Sequence, residues 1–155
     1  MLKTPKIEWV KNEDWDFRDE DTQYLTHGLH SYPARMVPQI AKRLMKKFGK
    51  RGDVVLDPFC GSGTVLVEAR IAGLNSIGID INPFACLLAE VKSTPIEPDL
   101  LLSTWEMLKS RIGDEIAAFK FGKIDVKIPE FPGTNIHYWF KPTTMKELAI
   151  IRRNI

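Results

Sequence analysis

Two short apolar segments, each followed by a helical pattern, organise the middle of the chain. DVVLD, at residues 53–57, is nearly all apolar, as is typical of a parallel strand covered on both faces. A glycine-rich loop follows it, and then TVLVEARIAG, whose apolar residues recur at helical spacing. NSIGID, at residues 75–80, predicts a second buried strand, and PFACLLAEVK, at residues 83–92, predicts a second helix. This order predicts the opening of a doubly wound parallel sheet.

A further helix is predicted upstream of the first strand. Pro38 suits a first helical turn, and Ile40, Leu44 and Phe48 then recur every four residues on one face. The remaining surface of this helix carries lysine and arginine side chains, so the pattern indicates an amphipathic basic helix.

The downstream part of the chain predicts two more helices with an irregular segment between them. Asp99 is placed to cap the first, and Gly113 could interrupt it. Residues 123–133 alternate in part, which favours an edge strand or an extended loop. Thr144 and Glu147 have capping-box spacing and predict the last helix. Since open sheets usually contain about five to six strands, we expect the chain to hold only the first half of an α/β fold.

Composition fits one globular domain or part of one. The chain has 155 residues, 44% hydrophobic and 27% charged, with a net charge of +2 and two cysteines. These values exclude a disordered tail and a disulfide-built miniprotein. We find no apolar run long enough for a membrane span and no signal-peptide core, so we expect a cytoplasmic protein.

Charge is unevenly distributed. Residues 1–26 carry seven acids against four bases, whereas residues 35–51 carry seven bases and no acid. The basic helix could therefore follow a nucleic-acid backbone, although a solvated outer face is the simpler interpretation. The candidate nucleic-acid contacts are Lys42, Arg43, Lys46 and Lys47.

The most informative segment is DPFCGSGT, at residues 57–64. It places Asp57 at the carboxyl end of a strand, then glycines where the backbone must turn, then a helix N-terminus with free N–H groups. Asp80 ends the next predicted strand, where an acid can accept hydrogen bonds from ribose hydroxyls. An ordinary glycine turn is the alternative, but the two acids together favour a site for a nucleoside-containing cofactor.

The loop favours a cofactor without phosphate. No lysine follows Gly63, which disfavours a Walker loop, and Leu66 or Val67 stands where a dinucleotide fingerprint has its third glycine. An acid directly before the loop suits a cationic cofactor. S-adenosylmethionine, with a sulfonium and an ammonium group, meets these conditions.

DPFCGSGT followed by GIDINP resembles the cofactor motif of DNA amino-methyltransferases, which modify the exocyclic nitrogen of adenine or cytosine. The upstream HGLHSYPARMVPQI is similar to the segment that precedes this motif in one circular permutation of the family. The resemblance implies a Rossmann-like methyltransferase fold. Along the chain we expect a solvated approach segment at residues 1–26, the cofactor-binding core at residues 27–98, and at residues 99–155 a C-terminal part of the same domain that is truncated or completed by another chain.

The resemblance also implies a set of cofactor-binding residues. The loop would hold the methionine moiety, Asp80 would bind the ribose, and Thr64 could cap the helix and face the carboxylate. Ile81, Pro83 and Phe84 would wall the adenine, and the HSYPAR segment would close the other side. The implied residues are Tyr32, Pro33, Ala34, Arg35, Asp57, Pro58, Phe59, Cys60, Gly61, Ser62, Gly63, Thr64, Asp80, Ile81, Pro83 and Phe84.

One family motif is missing. Family members carry a later (Asp/Ser/Asn)-Pro-Pro-aromatic loop that positions the flipped base, and this sequence contains no Pro-Pro pair. We therefore expect no catalytic residues here, DNA as a partner, and completion by another segment, a second chain or a second copy. The alternatives are an RNA base methyltransferase fragment and a non-catalytic subunit that binds the cofactor or DNA.

Other candidate residues are weaker. His27 and His30 lack companions at metal-ligand spacing, so we predict no metal site. Cys60 has no paired base and is interpreted as a small residue fitted to the turn, and Cys86 is expected in the core. The aromatic residues Phe131, Tyr138, Trp139 and Phe140 could stack on bases, but packing of the last helix is the simpler interpretation.

Overall fold

A computed structural model describes residues 14–130 and 135–155, which form two compact units that divide between Pro95 and Ile96. In the first unit a 3₁₀ turn at Leu25–Leu29 precedes two strands and three α-helices. These are α1 (Pro38–Phe48), β1 (Val54–Asp57), α2 (Thr64–Ile71), β2 (Asn75–Gly78) and α3 (Pro83–Ser93).

The two predicted strands are confirmed, and they pair in parallel. Their register runs from Val54 opposite Asn75 to Asp57 opposite Gly78. The connection between them is α2, which packs against both α1 and α3. The fold of the first unit is therefore of the α/β type, and both strands direct their carboxyl ends to the same edge.

The core of this unit lies between the two strands and the helices α1 and α2. Its buried members are Ala41, Met45, Ala69 and Leu74, against which Val55 packs from β1. Burial of these apolar side chains is the main favourable contribution to the packing of α1 and α2 on the sheet.

The prediction that both faces of the strands are covered is wrong for the described residues. Val54 and Leu56 are 60% and 59% exposed, and Ile77 and Ile79 are likewise more than half exposed. Alternate side chains of β1 point to opposite faces, and α1 and α2 cover only the face that carries Val55. A contiguous apolar strand face is therefore left open.

The regular structure in the described part of the second unit is helical. α4 (Pro98–Lys120) packs against α6 (Pro142–Asn154), and a short α5 (Ile136–Trp139) lies between them along the chain. Arg153 and Asn154 both donate hydrogen bonds to the Glu115 carboxylate, which links the ends of the two long helices.

Three local predictions about this unit are wrong. The cap of α4 is Glu97, whose carboxylate accepts a hydrogen bond from the Asp99 backbone N–H, and Gly113 does not interrupt the helix. α6 begins at Pro142 without a side-chain cap, so the capping box does not form. Prolines in the first turns of both helices set these starts, since proline tolerates the absence of a backbone donor there.

Of the two alternatives for the irregular segment, the described residues form the loop and not the strand, whereas the prediction for the aromatic residues is wrong. Residues 123–130 form no strand, and residues 131–133, with Phe131, lie outside the described part of the chain. Tyr138, Trp139 and Phe140 are exposed, so they do not pack α6 onto the body as predicted. Among the described residues, none of the helices has both the length and the apolar character that a bilayer crossing requires.

We predict that Gly63→Ala destabilises the first unit by about 2–5 kcal/mol. Gly63 has φ +82°, which costs an L-residue about 1–2 kcal/mol. An added Cβ would also lie 2.6 Å from Ala89 Cα on α3, and such overpacking costs about 1–3 kcal/mol more. Urea unfolding measures the loss.

The matched control is Gly73→Ala. Gly73 has φ +71°, but an added Cβ there would meet nothing within 4 Å, so only the conformational cost of about 1–2 kcal/mol applies. Equal destabilisation by the two variants would contradict the packing argument.

Candidate functional site

The glycine loop between β1 and α2 turns at two left-handed glycines. Gly61 has φ +50° and Gly63 has φ +82°, and the Gly63 N–H donates to the Cys60 carbonyl at 2.8 Å. Gly63 is the N-cap of α2, so the idea that Thr64 caps the helix is wrong; Thr64 is the first helical residue and is buried. A glycine is needed at the cap because the left-handed backbone and the contact with Ala89 leave no room for a Cβ.

Asp80 holds this loop in place. Its Oδ2 accepts a hydrogen bond from the Gly61 N–H and its Oδ1 accepts one from the Asn82 N–H, both at 2.8 Å. β2 ends at Gly78, so Asp80 lies two residues beyond the strand and does not end it as predicted. The Cys60 N–H also donates to the Ile79 carbonyl at 2.9 Å. The loop is thus fastened to the chain that leaves β2.

A second carboxylate lies at the same edge of the sheet. Asp57 is the last residue of β1 and pairs with Gly78 in the register. Its Oδ1 accepts a hydrogen bond from the Phe59 N–H at 3.1 Å, and the residue is half-buried. Asp57 therefore ends one parallel strand and Asp80 lies two residues beyond its neighbour, so both acids lie at the carboxyl ends of the strands.

Apolar side chains stand exposed beside these carboxylates. Phe59 is 87% exposed and Ile81 is fully exposed. Phe84 is about half-exposed, and its ring meets the His30 ring edge-to-face with centroids 5.3 Å apart. Pro58 and Pro83 are exposed as well. Exposed apolar surface next to fixed polar groups is the usual composition of a small-molecule site.

Of the HSYPAR segment, Tyr32 reaches the loop. A Cβ on Gly61 would lie 3.5 Å from the Tyr32 ring, and the Tyr32 hydroxyl accepts a hydrogen bond from Asn82 Nδ2 at 3.4 Å. Pro33 and Ala34 form an exposed turn in which Ala34 has φ +53°.

Arg35 binds the backbone of its own segment. Its guanidinium donates to the His27 carbonyl and, at 3.1 Å, to the Thr22 carbonyl. These hydrogen bonds brace the approach to α1.

The two cysteines behave differently. Cys60 is buried in the loop, and its burial, followed by the nearby Asp57 and Asp80 carboxylates, raises the pKa of its thiol. A protonated thiol is a poor nucleophile, which agrees with its interpretation as a small structural residue. Cys86 is exposed, so its assignment to the core is wrong. α3 buries the face that carries Ala85, Leu88 and Ala89, and Cys86 lies off that face.

The basic helix α1 is partly covered by the approach segment. The Arg43 guanidinium lies 5.0 Å from the Trp15 ring centroid and 4.3 Å from that of Phe17. Lys42 lies 5.9 Å from the Tyr24 ring centroid, while Lys46 and Lys47 are exposed. In the described part of the approach segment, the acidic side chains from Asp14 to Asp21 are exposed.

Sequence reasoning missed a set of buried polar contacts behind the loop. His27 Nε2 lies 2.8 Å from Glu68 Oε1, and the Tyr24 hydroxyl donates to the same oxygen. Lys92 Nζ donates to Ser62 Oγ at 3.3 Å. The available signal was the presence of Glu68 and Lys92 on otherwise apolar helix faces. In the described ranges, no three His, Cys, Asp or Glu residues are grouped as metal ligands.

Parallel strands joined by a helix place this unit in the α/β class, with its glycine loop at the carboxyl edge. Residues 3–91, more than half of the chain, match a family model described as DNA methylase, of the N6 and N4 type. The chain belongs to this family of DNA amino-methyltransferases.

The curated relatives are much longer than this chain. It is 45% identical over 87 residues to the type II methyltransferase M.MjaII of Methanocaldococcus jannaschii, covering 56% of the chain and 16% of the relative. It is 35% identical over 148 residues to the type II methyltransferase M.MvaI of Kocuria varians, covering 93% of the chain and 32% of the relative. It is 44% identical over 74 residues to a tRNA (guanine(10)-N2)-dimethyltransferase of M. jannaschii, covering 47% and 20%. No solved structure gave a significant match.

We predict that the first unit loses stability in mild acid through His27. Burial lowers the pKa of His27 below its usual 6.5, although the Glu68 carboxylate opposes the shift and Lys92 and Arg35 add to it. Below pH 6.5 the His27 side chain binds a proton in the unfolded chain but remains neutral in the folded chain. As the pH is lowered, the free energy of unfolding should therefore decrease by up to about 1.4 kcal/mol per pH unit, until the pH reaches the pKa of His27 in the folded state.

Urea unfolding of the wild type and His27→Gln at pH 7.5 and 5.5 measures this effect. The variant cannot titrate at this position, so it should show a smaller loss between the two pH values. Equal losses would contradict the assignment.

Proposed function

We propose that this chain forms the S-adenosylmethionine-binding part of a DNA methyltransferase that methylates the exocyclic amino group of adenine or cytosine. The observation that carries the proposal is the family match, which spans the glycine loop and both acids. The type II methyltransferase names of two relatives support the same reaction class.

The chemistry of the loop fits this cofactor. Asp57 directly precedes the loop, and a carboxylate there would repel a pyrophosphate. No lysine follows Gly63 to neutralise phosphate charge. A sulfonium and an ammonium group, in contrast, are attracted to the two carboxylates. The absence of a Cβ at Gly61 keeps open the space in front of the Tyr32 ring.

Each residue then has a distinct part in binding. When bound, S-adenosylmethionine supplies an electrophilic methyl group on its sulfonium. Asp80 would accept hydrogen bonds from the ribose hydroxyls, because each of its oxygens makes one hydrogen bond in the fold and retains a further acceptor site. Asp57 and the loop from Phe59 to Gly63 would hold the methionine moiety. Ile81, Pro83 and Phe84 would cover the adenine, and Tyr32 would close the opposite side.

Catalysis requires a further segment under this proposal. The sequence has no Pro-Pro pair, so the loop that positions the target amino group would come from another segment or polypeptide. The chain spans only 16% and 32% of the two type II relatives. The exposed apolar face of β1 and β2 supports such a completion, because apolar patches of this kind usually mark an interface.

DNA is the proposed substrate, and α1 is its proposed contact on this chain. Lys42, Lys46 and Lys47 are exposed on the helix, where they could neutralise backbone phosphates and make binding sensitive to salt. Arg43, held between Trp15 and Phe17, is the fourth candidate.

RNA is the second candidate substrate, because the chain is 44% identical over 74 residues to a tRNA dimethyltransferase. The aligned length is shorter than the 148 residues shared with M.MvaI, and the HSYPAR segment resembles the DNA enzymes. DNA is therefore the preferred proposal.

Asp80→Ala should weaken S-adenosylhomocysteine binding by about 1–3 kcal/mol in isothermal titration. The expected loss combines the ribose contact with the restraint on Gly61, and charged hydrogen bonds have values in this range. Asp114→Ala is a matched control, since Asp114 is an exposed acid on α4. An affinity unchanged by Asp80→Ala would remove the ribose assignment, and no heat with the wild type would count against the site itself.

The chain alone should transfer no methyl group, and mixing it with a polypeptide that carries a Pro-Pro-aromatic loop should restore transfer to duplex DNA. Tritium from labelled S-adenosylmethionine measures this in parallel reactions with duplex DNA and tRNA. Labelling of tRNA alone would support the second candidate. Activity of the isolated chain would contradict the need for completion.

A further inference from the structure

A buried polar network lies behind the proposed cofactor site and belongs neither to the catalytic proposal nor to the sequence predictions. It joins the segment before α1, here residues 24–35, to the helices α2 and α3 and to the glycine loop. Its members are Tyr24, Thr26, His27, Ser62, Glu68 and Lys92.

Glu68 fastens the segment to α2. The residue is 1% exposed, and its Oε1 accepts hydrogen bonds from the Tyr24 hydroxyl and from His27 Nε2, the latter at 2.8 Å. Burial, and then the hydrogen bond to Glu68, raises the pKa of Tyr24, so its hydroxyl remains the donor. One carboxylate oxygen thus holds two side chains of the segment.

His27 takes part as a neutral ring. Its Nδ1 is buried without a partner among the described residues, so a proton there would be an unsatisfied buried donor. The neutral tautomer with the proton on Nε2 donates to Glu68 and leaves a bare acceptor at Nδ1. The positive charges of Lys92 and Arg35 also disfavour protonation of the ring.

Lys92 connects the segment to the loop. The residue is 3% exposed, its carbonyl accepts a hydrogen bond from Thr26 Oγ1 at 2.9 Å, and its Nζ donates to Ser62 Oγ at 3.3 Å. Ser62 lies between the two left-handed glycines of the loop. Thr26 and the Ser62 side chain of the loop are thus both hydrogen-bonded to one residue, Lys92.

Stability alone is a weak reason for this arrangement. Burying charged side chains has a large desolvation cost, and apolar replacements of similar volume are often as stable or more stable. Hydrogen bonds between buried polar groups instead favour one arrangement among several, because an alternative packing would leave their donors and acceptors without partners. Here the two elements held in one relative position are the segment that carries Tyr32 and the loop that carries Gly61. They form opposite sides of the proposed site.

We infer that Thr26, Glu68 and Lys92 are positioning residues that set the separation between the Tyr32 segment and the glycine loop. The inference rests on the proposed function for its cofactor, but the coupling between the two elements is a property of the fold.

Thr26→Val tests the link, with Thr26→Ser as the matched control. The first variant removes the hydroxyl that donates to Lys92 and keeps the shape of the side chain, whereas the second keeps the hydroxyl. Isothermal titration should show S-adenosylhomocysteine affinity about 2- to 10-fold weaker in Thr26→Val, the effect of about one hydrogen bond. Thr26→Ser should bind like the wild type. Equal affinities for the wild type and both variants would overturn the positioning role.

Amide hydrogen exchange tests the same link without a ligand. The N–H groups of Cys60, Gly61 and Gly63 are all hydrogen-bonded in the folded loop, so their exchange reports loop opening. In Thr26→Val they should exchange about 2- to 10-fold faster, and in Thr26→Ser at the wild-type rate. Wild-type rates in both variants would contradict the coupling.

A reciprocal variant tests whether the coupling also runs from the loop to the segment. Ser62→Ala removes the loop side of the Lys92 contact and should speed exchange of the His27 N–H, which donates to the Tyr24 carbonyl. If the wild type binds no S-adenosylhomocysteine, the proposed function fails while the exchange results still decide the inference. If the wild type binds and exchange is unchanged in every variant, the inference alone fails.

Discussion

The hydrogen bonds from Gly61 and Asn82 to the Asp80 carboxylate connect the two parts of the candidate site. One oxygen accepts from the glycine loop and the other accepts from the start of α3, so a single side chain joins these two elements. A carboxylate suits this task because it accepts at both oxygens, whereas an asparagine amide would place a donor against one of the two N–H groups. The loop can then turn through left-handed glycines and still present one fixed backbone to a ligand.

The rest of the first unit supports this arrangement. α2 packs against both α1 and α3, and Gly63 lets the loop pass directly over Ala89. Tyr32 comes to the front of the loop from the upstream segment, and Lys92 reaches Ser62 from behind. Residues far apart in the sequence thus meet at a five-residue stretch of backbone, Cys60 to Thr64, whose own side chains are small.

The sequence predicted the features that depend on local pattern and chemistry. Apolar segments, glycine positions and Pro38 and Pro83 indicated the strands, the loop and the helix starts, because these follow from periodicity and backbone restriction. It misplaced Cys86, since α3 is apolar nearly all around and periodicity does not say which face is buried. It missed the contacts of Glu68 and Lys92 with residues 24–26 because the partners lie more than forty positions apart in the sequence, and no local pattern reports such contacts. The open face of β1 likewise depends on what packs there and not on the strand itself.

A crystal structure with S-adenosylhomocysteine would show where the compound binds as well as whether it binds. We expect the nucleoside between the Asp57 and Asp80 carboxylates, with its ribose on Asp80 and its amino-acid part along the glycine loop. Density for the compound only on the exposed apolar face of β1 and β2, or a phosphate-bearing nucleotide in the glycine loop in its place, would contradict this binding mode.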